Sequence, residues 1–304
     1  MAASDYEIVD PRFGTLIISH AQVQRLWTGG RWLEGPVYWP DAAMLVFSDI
    51  PHNRMMRWVD GPDGGSVSVY REPSNYSNGN TRDFEGRLVT CEHATRRVTR
   101  TEHGGSITVL ADRVGGRRFN SPNDVVVKSD GSTWFTDPDY GIRSDYEGYR
   151  AESELDGCHV YRLDPDVDEV VVVATDMVKP NGLAFNLDET ILYISDTGRS
   201  DGPGGPPHIR KYAVGANNSL SGGEVFATVD RGVSDGFRVD EYDNVWTSAA
   251  DGVHCYAPDG TLLGKVLVPE TVSNVVFGGP DRNRLFMTAT TSLYSIFLGV
   301  RGAR

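Results

Sequence analysis

The stretch "NSPNDVVVKSDGSTWFTDP", residues 120–138, sets the grammar of the whole chain. A Ser-Pro-Asn-Asp turn opens onto an apolar run, Ser-Asp-Gly breaks it, and a second apolar run ends at Asp-Pro. β-Branched and aromatic residues bounded by turn formers read as two consecutive strands. Working outward, the same order returns at "LEGPVYWPDAAMLVFSDI" from Leu33, "SNGNTRDFEGRLVTCEH" from Ser77 and "KPNGLAFNLDETILYISDT" from Lys179. It returns twice more, at "VSDGFRVDEYDNVWTSAAD" from Val233 and "VSNVVFGGPDRNRLFMTAT" from Val272.

These openings recur at roughly 40 to 60 residues, close to the period of four-stranded propeller blades. Third and fourth strands follow in several units, as in "GCHVYRLDP" then "EVVVVATD". No window sustains a helical period. The expectation is an all-β, six-bladed β-propeller of four-stranded antiparallel blades, one domain over residues 1–304 with residues 1–14 as an N-terminal extension. The last unit has room for about three strands before Arg304, while "QVQRLWTGG" precedes the first unit without a blade of its own. That early strand is expected to complete the sixth blade and remove its exposed edge.

Composition narrows the function. The 304 residues carry 39% hydrophobic and 23% charged residues, a globular balance, and Lys+Arg 29 against Asp+Glu 42 gives a net charge of −13. That sign disfavours nucleic acid and anionic membranes, which demand clustered cations. Cys91, Cys158 and Cys255 are an odd number with no metal or disulfide spacing. "MAASDYEIVDPRFGTL" has acidic residues where a secretory leader has basic ones, and no later window is apolar enough for a membrane helix. A cytoplasmic protein is expected.

In a propeller the innermost strand of each blade lines the central channel, so the turns leading into those strands meet around one mouth. Glu34, Asn123, Asn181 and Asp235 occupy those turns, with Asn80 and Asn274 at the remaining two. Two carboxylates and two amides form an oxygen-only donor set that suits Ca²⁺. Zn²⁺, Mn²⁺ and Mg²⁺ are the alternatives, although Zn²⁺ ordinarily recruits His or Cys.

The segments "WLEGPVYWP", "NSPNDVVVKSDG", "KPNGLAFN" and "VSDGFRVDEYDNVW", in that order, resemble the gluconolactonase/regucalcin (senescence marker protein) family of six-bladed lactonases, over about residues 15–300. "CEHATRRVTRTEHGGSITVLAD" is similar to its bacterial gluconolactonase branch. The resemblance implies a divalent metal, usually Ca²⁺, held by Glu34, Asn181 and Asp235, with Asn123 as substrate contact or fourth ligand. Where the animal relatives place an Arg two residues before that Asn, this chain has Ser121, with Arg117 and Arg118 upstream.

The chemistry expected is hydrolysis of a small-molecule lactone to its hydroxy acid, the metal polarising the carbonyl and Asp235 serving as metal ligand and general base. His93 is a candidate for substrate contact or proton transfer, and Asp137, Asp139 and Tyr140 in "FTDPDYG" are candidates for lining the pocket. The loops at 140–157 and 198–208 are expected to cover the mouth. A propeller esterase or phosphotriesterase, and a non-catalytic Ca²⁺- or ligand-binding propeller, are the alternatives. "GVSDG", residues 232–236, satisfies G-x-S-x-G but lacks the strand–turn–helix context of a nucleophile elbow. "DPDVDEV", residues 164–170, lacks the glycine of an EF-hand loop.

Overall fold

Why six like openings build one molecule is visible in the computed structural model, which describes residues 5–165, 167 and 169–303. The acidic segment 164–170 and the N-terminal residues 1–4 therefore fall partly or wholly outside the described residues. Six antiparallel sheets form the blades of a propeller. Blade I runs through Leu33–Trp39, Met44–Asp49, Arg54–Val59 and Ser66–Arg71; blade II through Ser77–Arg82, Leu88–Glu92, Arg97–Thr101 and Ile107–Ala111. Blade III comprises Val125–Val127, Thr133–Asp137, His159–Leu163 and Val170–Ala174. Blade IV comprises Pro180–Phe185, Ile191–Asp196, His208–Val214 and Leu220–Thr228. Blade V is built from Phe237–Val239, Val245–Ala249, Gly252–Tyr256 and Leu262–Leu267, and blade VI from Val272–Gly278, Arg284–Ala289 and Ser292–Phe297.

Blade VI takes its fourth strand from Gln24–Thr28, which pairs antiparallel with Ser292–Phe297, so the early strand closes the ring as its position in the sequence requires. Tyr6–Ile8 pairs with Leu262–Leu267 and gives blade V a fifth strand. Phe13, just after it, is wholly buried with its ring 5.8 Å from that of Trp246.

The core lies between blades. Tyr38 of blade I stacks on Phe286 of blade VI with centroids 5.5 Å apart, and Trp134 of blade III meets Phe185 of blade IV edge-on at 5.4 Å. Second strands are buried along almost their whole length, which explains their continuous apolar runs, while the outer strand of blade I, Ser66–Arg71, is exposed or half-buried throughout. No helix among the described residues is long and apolar enough to cross a membrane.

Two recurring devices hold the turns at the mouth. The acid ending the second strand accepts backbone N–H groups from the turn that leads into the first. Asp49 accepts from Arg31, Asp137 from Asn120 and Ser121, and Asp196 from Val178 and Lys179, at 2.8–3.1 Å. Second, four of the innermost strands carry a bulge at this end, at Glu34–Val37, Ser77–Asn80, Pro180–Leu183 and Val272–Asn274. A bulge breaks the two-residue alternation and re-aims the side chain beside it.

Candidate active site

Four residues at the mouth are followed by glycine: Glu34-Gly35, Asn78-Gly79 and Asn181-Gly182 in bulged strands, and Asp235-Gly236 in the turn before the unbulged first strand of blade V. At Gly35, Gly79 and Gly182 the neighbouring blade's backbone lies where a Cβ would go, and at Gly236 the Asn274 side chain does. Gly79 N–H donates to the Asn123 carbonyl at 2.7 Å and Gly182 N–H to the Asp235 carbonyl at 3.0 Å. A Cβ at Gly182 would lie 2.2 Å from that Asp235 oxygen. Each blade thus fixes the backbone of the next blade's site residue.

The result is a cavity of about 280 Å³ at the mouth, lined by Glu34, Asn78, Asn123, Tyr140, Glu147, Asn181 and Asp235, with Thr197, Ser200 and Thr271. Trp32, Ile50, Val233, Ala250 and Val272 give it an apolar wall. No Lys, Arg or His lines it among the described residues.

Three carboxylates therefore share a space without a countercharge. Burial pushes the Glu34 carboxyl up to about 8, against hydrogen bonds to its Oε2 from Asn274 Nδ2 at 3.0 Å and Gly35 N–H at 2.6 Å. Burial, then the charges of Glu34, Asp124 and Glu147, hold Asp235 well above the usual carboxylate range. Glu147 is lifted to about 7 by burial. Beneath them Asp124 lies buried in the channel, Oδ2 without a hydrogen bond among the described residues and 3.9 Å from Arg238. A set of acids each holding its proton against the ordinary range is what a cation would reverse.

Of the residues singled out from sequence, Glu34, Asn123, Asn181, Asp235 and Tyr140 meet in the cavity. Tyr140 Oη is fixed by Thr197 Oγ1 at 2.8 Å and Ser200 Oγ at 2.7 Å, and burial raises its pKa to about 12. Five others lie elsewhere. Asn80 is fully buried between blades, its Nδ2 bonded to Gly35 O, Ser48 Oγ and Asn78 O, because the bulge at Ser77–Asn80 turns Asn78 to the cavity instead. Asn274 supports Glu34 from behind. Asp137 spends both oxygens on the turn at 120–121. His93 sits behind Asn78. Asp139 pairs with Lys179 at 2.7 Å, at the rim. Ser121 donates to Pro138 O and accepts from Gly141 N–H, tethering the loop over the mouth, while Arg117 and Arg118 are exposed and do not line the cavity.

Asn78 and Glu147 are among the lining residues that were not singled out. Asn78 carried a readable signal: it precedes a glycine, like Glu34, Asn181 and Asp235. Glu147 carried none, being one acid in an aperiodic loop. A separate group, Asp230, Asp251 and His254, could present one ligand atom each to an ion, but Lys265 Nζ already sits 3.1 Å from Asp230 and 3.3 Å from Asp251.

Residues 32–291 match the family described as SMP-30/Gluconolactonase/LRE-like region. The chain belongs to that family. Among its relatives, the gluconolactonase of Zymomonas mobilis is 30% identical over 94% of this chain and 84% of its own length. The pentonolactonase XacC of Haloferax volcanii is 30% identical over 84% of this chain and 80% of its own. The solved structure of a Xanthomonas campestris gluconolactonase superposes with a TM-score of 0.89 at 36% identity, covering 96% of this chain and 94% of the other. The SMP-30/gluconolactonase scaffold thus extends over nearly the whole molecule, and the carboxylate-lined cavity sits at the mouth of its channel.

Proposed function

We propose that the protein is a metal-dependent lactonase that opens small neutral lactones, sugar lactones among them, to hydroxy acids at the propeller mouth. The observation that carries this reading is the convergence of Glu34, Asn123, Asn181 and Asp235 in one cavity without a cationic side chain, in a chain whose relatives over most of its length are named lactonases.

The donor set fits a divalent cation. Glu34 and Asp235 supply charge, Asn181 and Asn123 amide oxygens, and the elevated carboxyls mark where positive charge is wanted. An all-oxygen set favours Ca²⁺, with Mg²⁺ or Mn²⁺ next; Zn²⁺ would ordinarily draw on nitrogen or sulfur. When bound, such a cation supplies Lewis acidity, drawing charge from a carbonyl oxygen and making water a better acid.

The chain's own groups account for the proton movements. Asp235, partly open to the cavity, takes the proton of the attacking water as its oxygen bonds to the acyl carbon. The ring C–O bond then breaks, and the departing alkoxide needs a proton. Glu147, with a carboxyl near 7, can donate it. Asn123 and Asn181 orient the substrate and the cation, and Trp32 with its apolar neighbours offers a surface for the C–H face of the ring.

The deciding experiment is hydrolysis of glucono-δ-lactone in a pH-stat, before and after chelation and after Ca²⁺, Mg²⁺, Mn²⁺ or Zn²⁺ is restored. Turnover above the spontaneous rate that is lost on chelation and returns with one ion supports the proposal. Turnover indifferent to chelation refutes the metal's part, and no turnover with any ion refutes the lactonase.

A further inference from the structure

Asn78 lines the cavity, and its side chain is pinned from one side only. Nδ2 lies 3.1 Å from His93 Nε2, while Oδ1 is buried and has no hydrogen-bond partner among the described residues. His93 Nδ1 lies 3.0 Å from the backbone carbonyl of Glu147.

The proton positions follow from this chain of contacts. A carbonyl oxygen can only accept, so His93 Nδ1 must carry the hydrogen. In the neutral ring Nε2 is then a lone pair and can only accept. Burial keeps His93 neutral, with its pKa lowered to about 4. The group facing Nε2 must therefore be the Asn78 NH₂, and Oδ1 is the atom left over. Reversing the amide would set two acceptors against each other at 3.1 Å and lose the bond. A buried acceptor without a donor is costly in a folded protein and marks a place where a ligand supplies the hydrogen.

We propose that Asn78 is a substrate-binding residue whose Oδ1 accepts a hydrogen bond from a hydroxyl of the lactone, and that His93 is the positioning residue that holds the amide in this orientation. The proposal rests on the lactonase reading. It assigns His93 no proton transfer: both ring nitrogens are committed, one to Asn78 and one to the loop at 140–151. That loop is closed on itself by Ala151 N–H to Ile142 O at 3.0 Å, and a Cβ on Gly141 would lie 2.5 Å from His93 Cβ. Orientation of the acceptor and seating of the loop that carries Glu147 are therefore one mechanical unit. The substrate class that follows is a lactone with at least one ring or side-chain hydroxyl, as opposed to a plain alkyl lactone.

The test is a kinetic cycle on the cation-loaded protein, with glucono-δ-lactone and its singly deoxygenated analogues as probes. Removing the hydroxyl that Asn78 contacts should lower kcat/KM of the wild type about tenfold, the worth of one such bond. In Asn78→Leu that analogue and the parent should be hydrolysed equally. His93→Leu, which frees the amide to rotate, should lose the same discrimination; because it also unseats the loop that carries Glu147, kcat should fall alike for parent and analogue, and the ratio of their kcat/KM values is what reads the amide. His93→Gln, able to accept from Asn78 and donate to Glu147, should restore it. A role for His93 in packing alone would lower the active fraction without altering the ratio between the two substrates. The rise in unfolding temperature on adding Ca²⁺ should persist in Asn78→Leu. If wild type and Asn78→Leu discriminate alike at every hydroxyl, or if the Ca²⁺ response disappears so that Oδ1 is a cation ligand, the proposal falls while the lactonase stands. A wild type that opens none of the lactones fells both.

Discussion

Gly182→Ala tests whether blade IV positions the carboxylate of blade V. The added Cβ would come within 2.2 Å of the Asp235 carbonyl oxygen and 2.8 Å of Gly236 Cα, where real Cβ contacts stay beyond 3.0 Å. Both obstacles are backbone, so no side chain can swing aside, and blade V must retreat by about 1 Å or blade IV must strain, at roughly 1–3 kcal/mol. The 3.0 Å bond from Gly182 N–H to that carbonyl is lost with it, worth about 1 kcal/mol. The total of about 2–4 kcal/mol lowers the urea midpoint by about 1 M at the slope of a protein this size. Displacing Asp235 by about 1 Å should cost on the order of 100-fold in turnover. Gly86→Ala is the control, since it has a φ of 80° but nothing within 4 Å of the new Cβ, and should lose about 1 kcal/mol with activity intact. Urea unfolding followed by fluorescence, with lactone hydrolysis on the same preparations, reads both effects. A Gly182→Ala protein with the wild-type midpoint and full turnover would refute the contact as the device that fixes Asp235.

Glu34→Gln should abolish the Ca²⁺-induced rise in unfolding temperature while leaving the chelated protein no less stable near neutral pH, because a neutral amide then replaces a carboxyl that burial already keeps protonated; differential scanning calorimetry with and without chelator decides this. The folded state holds the Glu34 proton with a pKa of about 8 against an ordinary 4.5. Its contribution to the stability of the chelated protein is thus complete below about pH 4.5 and lost as the pH rises through 8, and unfolding titrations across that range should show the fall. Phe13→Ala should destabilise the protein by about 3–5 kcal/mol, the range for deleting a fully buried ring, if residues before the first blade are part of the core, measured by denaturant unfolding. Lactones bearing a phosphate or sulfonate should be hydrolysed far more slowly than their neutral parents, because acids line the cavity and no Lys, Arg or His among the described residues is there to meet a second anionic group; comparative kcat/KM values at low ionic strength test it.

The fold was legible because propeller blades are built from local signals. Each turn and each buried second strand is written within some 20 residues, and six repetitions supply the rest. The acids closing "FSD", "FTD" and "ISD" were visible as turn formers, but their service to the turn before them, from Asp49 to Arg31 or Asp196 to Val178, spans 18 residues and depends on the hairpin being formed. The ring closure by Gln24–Thr28 was readable from bookkeeping, since one blade lacked a strand and one strand lacked a blade. The pairing of Tyr6–Ile8 with blade V was not, because a three-residue strand carries no period.

Within the site the decisive detail was the bulge. Alternation along an unbroken strand makes Asn78 and Asn80 equivalent, and only the slip in register between Ser77 and Asn80 separates a residue in the cavity from one buried between blades. The glycine that follows Asn78 encodes that slip, because a neighbouring blade lies where its side chain would be. Blade III shows the limit of the rule: Asn123 is followed by Asp124, whose side chain goes down the channel and adds a fourth acid below the other three. That substitution of an acid for a glycine raises the need for positive charge at the mouth. Arg238, at 3.9 Å from Asp124, meets it only in part, since Glu34 and Asp235 remain far above the ordinary range with the arginine in place. A fixed cation thus lies beside Asp124 while the carboxyls of Glu34 and Asp235 stay raised, and that is the charge pattern the proposed divalent cation would complete.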